Sequence, residues 1–183
     1  MQKIIFFLFP FFLYANYSES GPHEVVISID NFTLSNGQSI EYTFITPAEI
    51  NHITQVTLVH AFSRNMDSYY ELAEHYASWG LGVITMNLFY SSIFDNDPFQ
   101  DAIDLREVSD YFSDGRPVIY VGHSAGAMRA IVAATEDTNA IAILGLDLTD
   151  GAYENSGGEF LGLMYANMLS IPIWGLLGES SSC

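Results

Sequence analysis

The chain has 183 residues, 49% of them apolar, with 22 Asp and Glu against five Lys and Arg, a formal charge of −17. Length and apolar content together suit one domain with a sizeable core and argue against a disordered chain. A field of that sign repels phosphate backbones and anionic bilayer surfaces, so no nucleic-acid partner is expected.

In chain order, residues 1–15 read as a signal peptide. Lys3 supplies the positive start, Ile4 to Leu13 the apolar stretch, and Ala15, Ser18 and Ser20 the small residues of a cleavage region. The stretch is shorter than the ~20 apolar residues that span a bilayer, and Pro10 interrupts it, so no stable membrane anchor is expected. The expected location is secreted or periplasmic, with the mature domain running over 16–183. Val25, Val26, Ile27 and Ile29 predict a strand, Asn36-Gly37 a two-residue hairpin turn, and Ile40, Tyr42 and Phe44 a second, half-buried strand. Gln55 to His60 predicts a third strand. Tyr69, Leu72, Ala73 and Tyr76 share one face of a helix over Met66–Trp79, and Gly80 stops it. Leu81 to Leu88 reads as an interior strand, Asp95 to Gln100 as a polar loop and Asp101 to Phe112 as a helix.

The next stretch organises the rest. Val118 to Val121 reads as a buried strand and Ala127 to Ala134 as a buried helix, and Gly122-His123-Ser124-Ala125-Gly126 joins them. A strand reverses into a helix this tightly only where flanking side chains vanish, and the bend exposes a strained serine hydroxyl at the end of the sheet. Ser124 is therefore the candidate nucleophile. The Ala125 N–H, at the positive end of the new helix, is one candidate oxyanion donor. The loop after the third strand supplies the other, and Phe62 in His60-Ala61-Phe62-Ser63-Arg64 is the choice for it. Beyond the elbow, Ala140–Leu146 predicts a buried strand, Thr149–Gly158 a loop, Phe160–Leu169 a helix and Ile171–Leu177 a last strand. Strands alternating with helices predict an α/β fold: a mostly parallel sheet covered on both faces, with an antiparallel hairpin at its N-terminal edge.

Acyl transfer also needs a base and an acid that orients it. Asp147, Glu179 and Asp150 are the candidate acids, with Asp147 preferred because it ends a buried strand beside the elbow strand. The histidines stand at 23, 52, 60, 75 and 123, and none follows Ser124. His60 reads as a brace for its loop, His123 as a packing residue facing away from the hydroxyl, and the other three as surface or helix-face residues. No metal or cofactor is implied, because no His, Asp or Glu cluster has ligand spacing.

His60-Ala61-Phe62-Ser63, Tyr69-Tyr70, Ala77-Ser78-Trp79-Gly80, Gly122-His123-Ser124-Ala125-Gly126 and Gly145-Leu146-Asp147-x-x-Asp150-Gly151 occur in an order that resembles the chlorophyllase branch of the α/β-hydrolases. That branch is close to the platelet-activating-factor acetylhydrolases and the cutinase-like polyester hydrolases. The resemblance spans roughly residues 55 to 183. It implies a serine esterase whose acid matches Asp147. Ala61 stands where that branch usually has glycine, and Ala125 where chlorophyllases carry arginine. Family members continue past the strand matching 171–177 to a loop bearing the histidine. The chain is accordingly expected to be incomplete at its C-terminus, with the base beyond residue 183, its lone Cys183 without a partner here, and residues 16–183 alone inactive. The expected substrate is a small-molecule or lipid-like ester in an apolar pocket with Phe62, Met128 and Trp174 as walls. The competing expectation is a pseudohydrolase that binds without catalysis.

Overall fold

The computed structural model describes residues 16–92, 94–149 and 161–178. The predicted signal peptide, Asp150, Glu179, Cys183 and most of the loop over 149–158 lie outside them.

Seven strands form one sheet: β1 (Val25–Thr33), β2 (Ser39–Pro47), β3 (Gln55–Val59), β4 (Gly82–Met86), β5 (Val118–His123), β6 (Ala140–Leu146) and β7 (Ile173–Leu176). Their order across it is β1-β2-β4-β3-β5-β6-β7. β2 runs antiparallel to both neighbours, and every pair from β4 to β7 is parallel. The helices are α1 (Tyr70–Ser78), α2 (Pro98–Ser113), α3 (Ala125–Thr135) and α4 (Leu161–Ala166). Strand alternation divides the apolar side chains between two layers. Val56, Leu58, Val83 and Val121 face Ala73 and Ala77 of α1. Ile84, Met86, Val118, Tyr120 and Ile143 cluster with Leu105 and Val108 of α2 and with Ala130, Ile131 and Ala134 of α3. This is the mostly parallel α/β sheet with an N-terminal antiparallel hairpin that the sequence predicts.

Three local details differ from the sequence reading. The hairpin turn has three residues, Ser35-Asn36-Gly37. Leu34 N–H donates to the Gln38 carbonyl at 2.8 Å, and Gly37 takes φ +87°, the left-handed conformation such a loop requires at its last position. Helix α2 begins at Pro98, inside the predicted polar loop. Asp97 Oδ1 accepts the Phe99 and Gln100 N–H groups, and proline fits the first helical position because its missing N–H would go unpaired there. The helix predicted over Met66–Trp79 opens as a 3-10 turn, Met66–Tyr69, before α1.

Ahead of β1, residues 16–23 strap the end of α1. Gly21 N–H donates to Ser78 Oγ at 2.7 Å, and Trp79 Nε1–H to the Glu19 carbonyl at 3.1 Å. At the far edge of the sheet, β7 leaves Trp174 58% and Leu176 61% exposed, with Leu177 beyond it 78% exposed. No helix among the described residues is long and apolar enough to cross a membrane.

Two glycines set how closely the layers approach at the elbow. A Cβ on Gly122 would lie 2.4 Å from Ala127 Cα, and one on Gly126 would lie 2.4 Å from the His60 carbonyl oxygen. Both obstacles are backbone, which cannot swing aside. Gly175 in β7 has nothing within 4 Å of its missing Cβ. Gly126→Ala is therefore expected to cost about 3 kcal/mol, the upper range for overpacking, and to lower Tm by roughly 6–12 °C in a domain of this size. Gly175→Ala should leave Tm within about 2 °C, since alanine costs a strand no more backbone entropy than glycine. Thermal melts of the two variants, read by circular dichroism, check the contrast. Equal losses would contradict it.

Candidate active site

Ser124 stands where β5 becomes α3, with φ 52° and ψ −124°. This is a strained conformation for a residue with a side chain, and such strain persists only when surrounding contacts impose it. Here they are identifiable. Ser124 N–H donates to the Leu146 carbonyl at 2.8 Å, and its carbonyl accepts Ala127 N–H at 3.0 Å and Thr149 N–H at 3.3 Å. The hydroxyl donates to Thr149 Oγ1 at 3.4 Å, and Thr149 donates in turn to the Asp147 carbonyl at 3.4 Å. No histidine nitrogen among the described residues bonds the Ser124 hydroxyl.

Asp147 directly follows the residue whose carbonyl holds Ser124. β6 pairs with β5 through His123 and Leu146, which places Asp147 at the carboxyl edge of the sheet, next to the elbow. It is exposed, has φ 51°, and donates its N–H to the Leu176 carbonyl at 2.7 Å. The other two candidate acids, Asp150 and Glu179, lie outside the described residues.

The loop after β3 lies against the first turn of α3, because Gly126 packs on the His60 carbonyl. The Ala61 carbonyl accepts His60 Nδ1–H at 2.8 Å and Arg64 N–H at 3.1 Å. In a planar trans peptide the C=O of Ala61 and the N–H of Phe62 point in opposite directions, so fixing one fixes the other. The Phe62 N–H is thus held in a defined direction, as is the Ala125 N–H, the first of α3, which lies beyond the reach of an intrahelical acceptor. Ser63, at φ 53°, anchors the far side of the loop by donating its N–H to the Ser91 carbonyl at 2.7 Å.

His60 is 1% exposed and uses both ring nitrogens on backbone: Nδ1–H on Ala61, and Nε2 as acceptor for Leu88 N–H at 3.1 Å. Burial, aided by the nearby Arg129 cation, lowers its pKa against the pull of the Ala61 carbonyl, so it stays neutral. It braces the loop as the sequence reading prefers. His123 turns its Nδ1 to the Tyr69 hydroxyl, 2.6 Å away. His75 Nε2–H donates to the Tyr17 carbonyl, and His52 packs its ring on Gly82. Of the expected pocket walls, Phe62 is half-buried in the loop and Met128 is buried in α3. Trp174 pairs with Leu144, two residues short of the strand end. A separate cavity between α2, α3 and α4, lined by Phe99, Ala102, Ile103, Val132 and Tyr165, does not include Ser124.

The sequence alone gives no role to Arg129, one turn into α3. It is 1% exposed, and its Nε–H donates to Asp101 Oδ2 at 2.7 Å. Its remaining N–H groups reach the Ala125 carbonyl, the Tyr90 carbonyl and Asn96 Oδ1. Asp101 also accepts Tyr90 N–H at 2.9 Å. One guanidinium thus ties the elbow helix to α2 and to the loop between β4 and α2. The available signal was an arginine in an otherwise small, apolar helix, four residues after Ala125, since a buried cation needs a buried partner.

No protein-family model matches the sequence, and no curated protein matches it. Solved structures do. A candidate dienelactone hydrolase from Klebsiella pneumoniae subsp. pneumoniae MGH 78578 superposes with a TM-score of 0.75 at 14% identity, over 87% of this chain and 75% of that one. Brefeldin A esterase, a bacterial homologue of human hormone-sensitive lipase, gives 0.59 at 14% identity over 76% and 44%. A highly thermostable carboxyl esterase from Bacillus coagulans gives 0.56 at 19% identity over 70% and 46%. The fold is that of the α/β-hydrolases. The chain spans three quarters of the first neighbour and less than half of the other two.

The Arg129–Asp101 pair yields a titration test. Burial pushes the Asp101 carboxyl up to about 6 from 3.8, against the lowering influence of Arg129 and the Tyr90 N–H. The folded carboxyl therefore binds its proton more tightly than the unfolded one. Its contribution to stability is complete below about pH 4 and is lost as pH rises through about 6. Carbon-13 NMR of the side-chain carboxyl should show Asp101 titrating above an ordinary aspartate. Arg129→Met, which removes the strongest lowering influence, should move the midpoint higher still. A midpoint that falls in the variant would contradict this account.

Proposed function

We propose that the protein is an exported carboxylic-ester hydrolase that works through an acyl-enzyme on Ser124. The observation that carries this reading is Ser124 itself. A non-glycine residue at φ 52° where a strand turns into a helix, with glycines two before and two after, is a costly conformation. Its chemical use is to present a hydroxyl beside a helix N-terminus. In the proposed reaction, Ser124 Oγ attacks the ester carbonyl carbon and passes its proton to a histidine. The Phe62 and Ala125 N–H groups stabilise the oxyanion. The histidine returns the proton to the departing alcohol, and water then releases the acid by the same route in reverse. Asp147 orients the histidine, supported by its position at the end of β6 beside the elbow.

The histidine is proposed to lie beyond residue 183. His60 and His123, the two nearest in the fold, spend ring nitrogens on Ala61, Leu88 and Tyr69. The apolar, exposed face of β7 agrees with a further segment packing there. Export is supported by the charge and apolarity pattern of residues 1–15. A cut after Ala15 also leaves the strap over 16–23 whole, whereas cuts after Ser18 or Ser20 would remove part of it. The substrate class is a small-molecule or lipid-like ester, and the chlorophyllase-like branch is the proposed affinity.

A second reading, a binding module without catalysis, is favoured by one observation: the described partner of the Ser124 hydroxyl is Thr149 rather than a base. One experiment separates the two. In the full-length protein a fluorophosphonate should label Ser124, and Ser124→Ala should abolish the labelling. A protein that never reacts supports the binding module, and labelling that survives Ser124→Ala removes the nucleophile assignment.

The acid is tested by kinetics on a p-nitrophenyl ester. Asp147→Asn should lower kcat by about 10⁴-fold, the loss seen when a triad histidine is left in the wrong tautomer. Glu179→Gln should have little effect. The reverse ranking would transfer the acid role to Glu179.

A further inference from the structure

The two proposed oxyanion donors belong to different parts of the chain. Phe62 is on the loop after β3, and Ala125 is on the elbow. A hole built from two elements works only if their spacing is fixed to a fraction of an ångström before the substrate arrives. The Gly126 contact sets how closely the elements approach.

A single phenol spans that gap. Tyr69 sits at the junction of the 3-10 turn and α1, its ring half-buried against the layer formed by Val56, Leu58 and Val121. Its oxygen accepts Ala61 N–H at 3.1 Å and lies 2.6 Å from His123 Nδ1. The Tyr69 hydroxyl and His123 Nδ1 share a hydrogen bond, and with His123 in its Nε2–H tautomer the phenol is the donor. Ala61 immediately precedes Phe62, and His123 immediately precedes Ser124 and Ala125. Each end of the bridge is therefore within two residues of a proposed donor. The Ala61 carbonyl is already held by His60 and Arg64, so the Tyr69 bond secures the remaining polar group of that residue.

We infer that Tyr69 is a positioning residue for the oxyanion hole, its hydroxyl tying the loop of Phe62 to the elbow of Ala125 through His123. This inference rests on the hydrolase reading of Ser124. The tie acts on donors that meet full negative charge only in the transition state. Its loss should therefore appear in kcat, with KM little changed. Burial raises the Tyr69 pKa against Ala61 and Arg64, so the hydroxyl keeps its proton at neutral pH.

The test uses steady-state kinetics on a short-chain p-nitrophenyl ester, with the rate of fluorophosphonate reaction at Ser124 as a second readout, in the full-length protein. Removing one oxyanion donor outright costs about 10²–10³-fold in kcat, so a donor that is present but loosely placed should cost roughly 10–100-fold. Tyr69→Phe is expected to lower kcat by that factor, keep KM within about two-fold and slow phosphonylation in parallel. His123→Leu should match it. His123→Gln, whose amide oxygen can still accept from the phenol, should recover most of the rate. Because the two residues share one interaction, Tyr69→Phe with His123→Leu should be no slower than the slower single variant.

A wild-type kcat in a folded Tyr69→Phe protein would overturn the inference, as would a loss confined to KM, or losses that multiply in the double variant. If Tyr69→Phe fails to fold, the His123→Leu and His123→Gln pair decides, and equal rates for the two overturn it. A wild-type protein that neither turns over the ester nor reacts at Ser124 would instead overturn the hydrolase reading, and this role with it.

Discussion

The structure depends on how closely one helix end approaches one strand end. Without side chains at Gly122 and Gly126, β5 turns into α3 within a single residue, and α3 lies against the carbonyl of His60. Adding one methyl group at either position puts it 2.4 Å from backbone atoms. From that approach follow the strained dihedrals of Ser124 and the nearness of the β3 loop to the positive end of the helix. The parallel strands then deliver Asp147 to the same edge, because β5 and β6 end in register at His123 and Leu146.

Polar groups placed where water is scarce hold this arrangement. His60, Arg129 and Asp101 are all almost fully buried, and each spends its hydrogen bonds on backbone or on another buried group. A buried charge without a partner is far costlier than a broken surface pair, so such groups allow few alternative arrangements of the loops they hold. The elbow helix is thereby tied in two directions. Arg129 connects it to α2 and the loop before α2, and the Gly126 contact connects it to the loop carrying Phe62.

The elements that could be read from sequence are those with a local cause. The Gly-x-Ser-x-Gly run between an apolar strand and an apolar helix announces the elbow, and the β-branched runs announce β3, β4, β5 and β6. The place of Asp147 just after β6 was legible because it follows such a run. The start of α2 is not legible in the same way, because Asp97-Pro98 suits a polar loop as well as a cap followed by a first helical residue. The buried polar contacts were not legible, since each joins residues far apart in sequence. Arg129 meets Asp101 and Tyr69 meets His123 only once the sheet brings α2, α3 and the β3 loop together. Gln55 and Thr57, inside a strand that reads as core, are buried beneath α2 and bond Ser109. Nothing in their local sequence names that partner.

In the proposed mechanism the Phe62 and Ala125 N–H groups converge on one oxygen beside Ser124. A crystal structure of the full-length protein after reaction with a phosphonate ester tests it most directly, because the phosphonyl oxygen stands in for the oxyanion of the tetrahedral intermediate. Phosphorus should be bonded to Ser124 Oγ, with its oxygen within about 2.7–3.1 Å of both N–H groups. An adduct whose oxygen points to solvent, or is held by neither group, would contradict it.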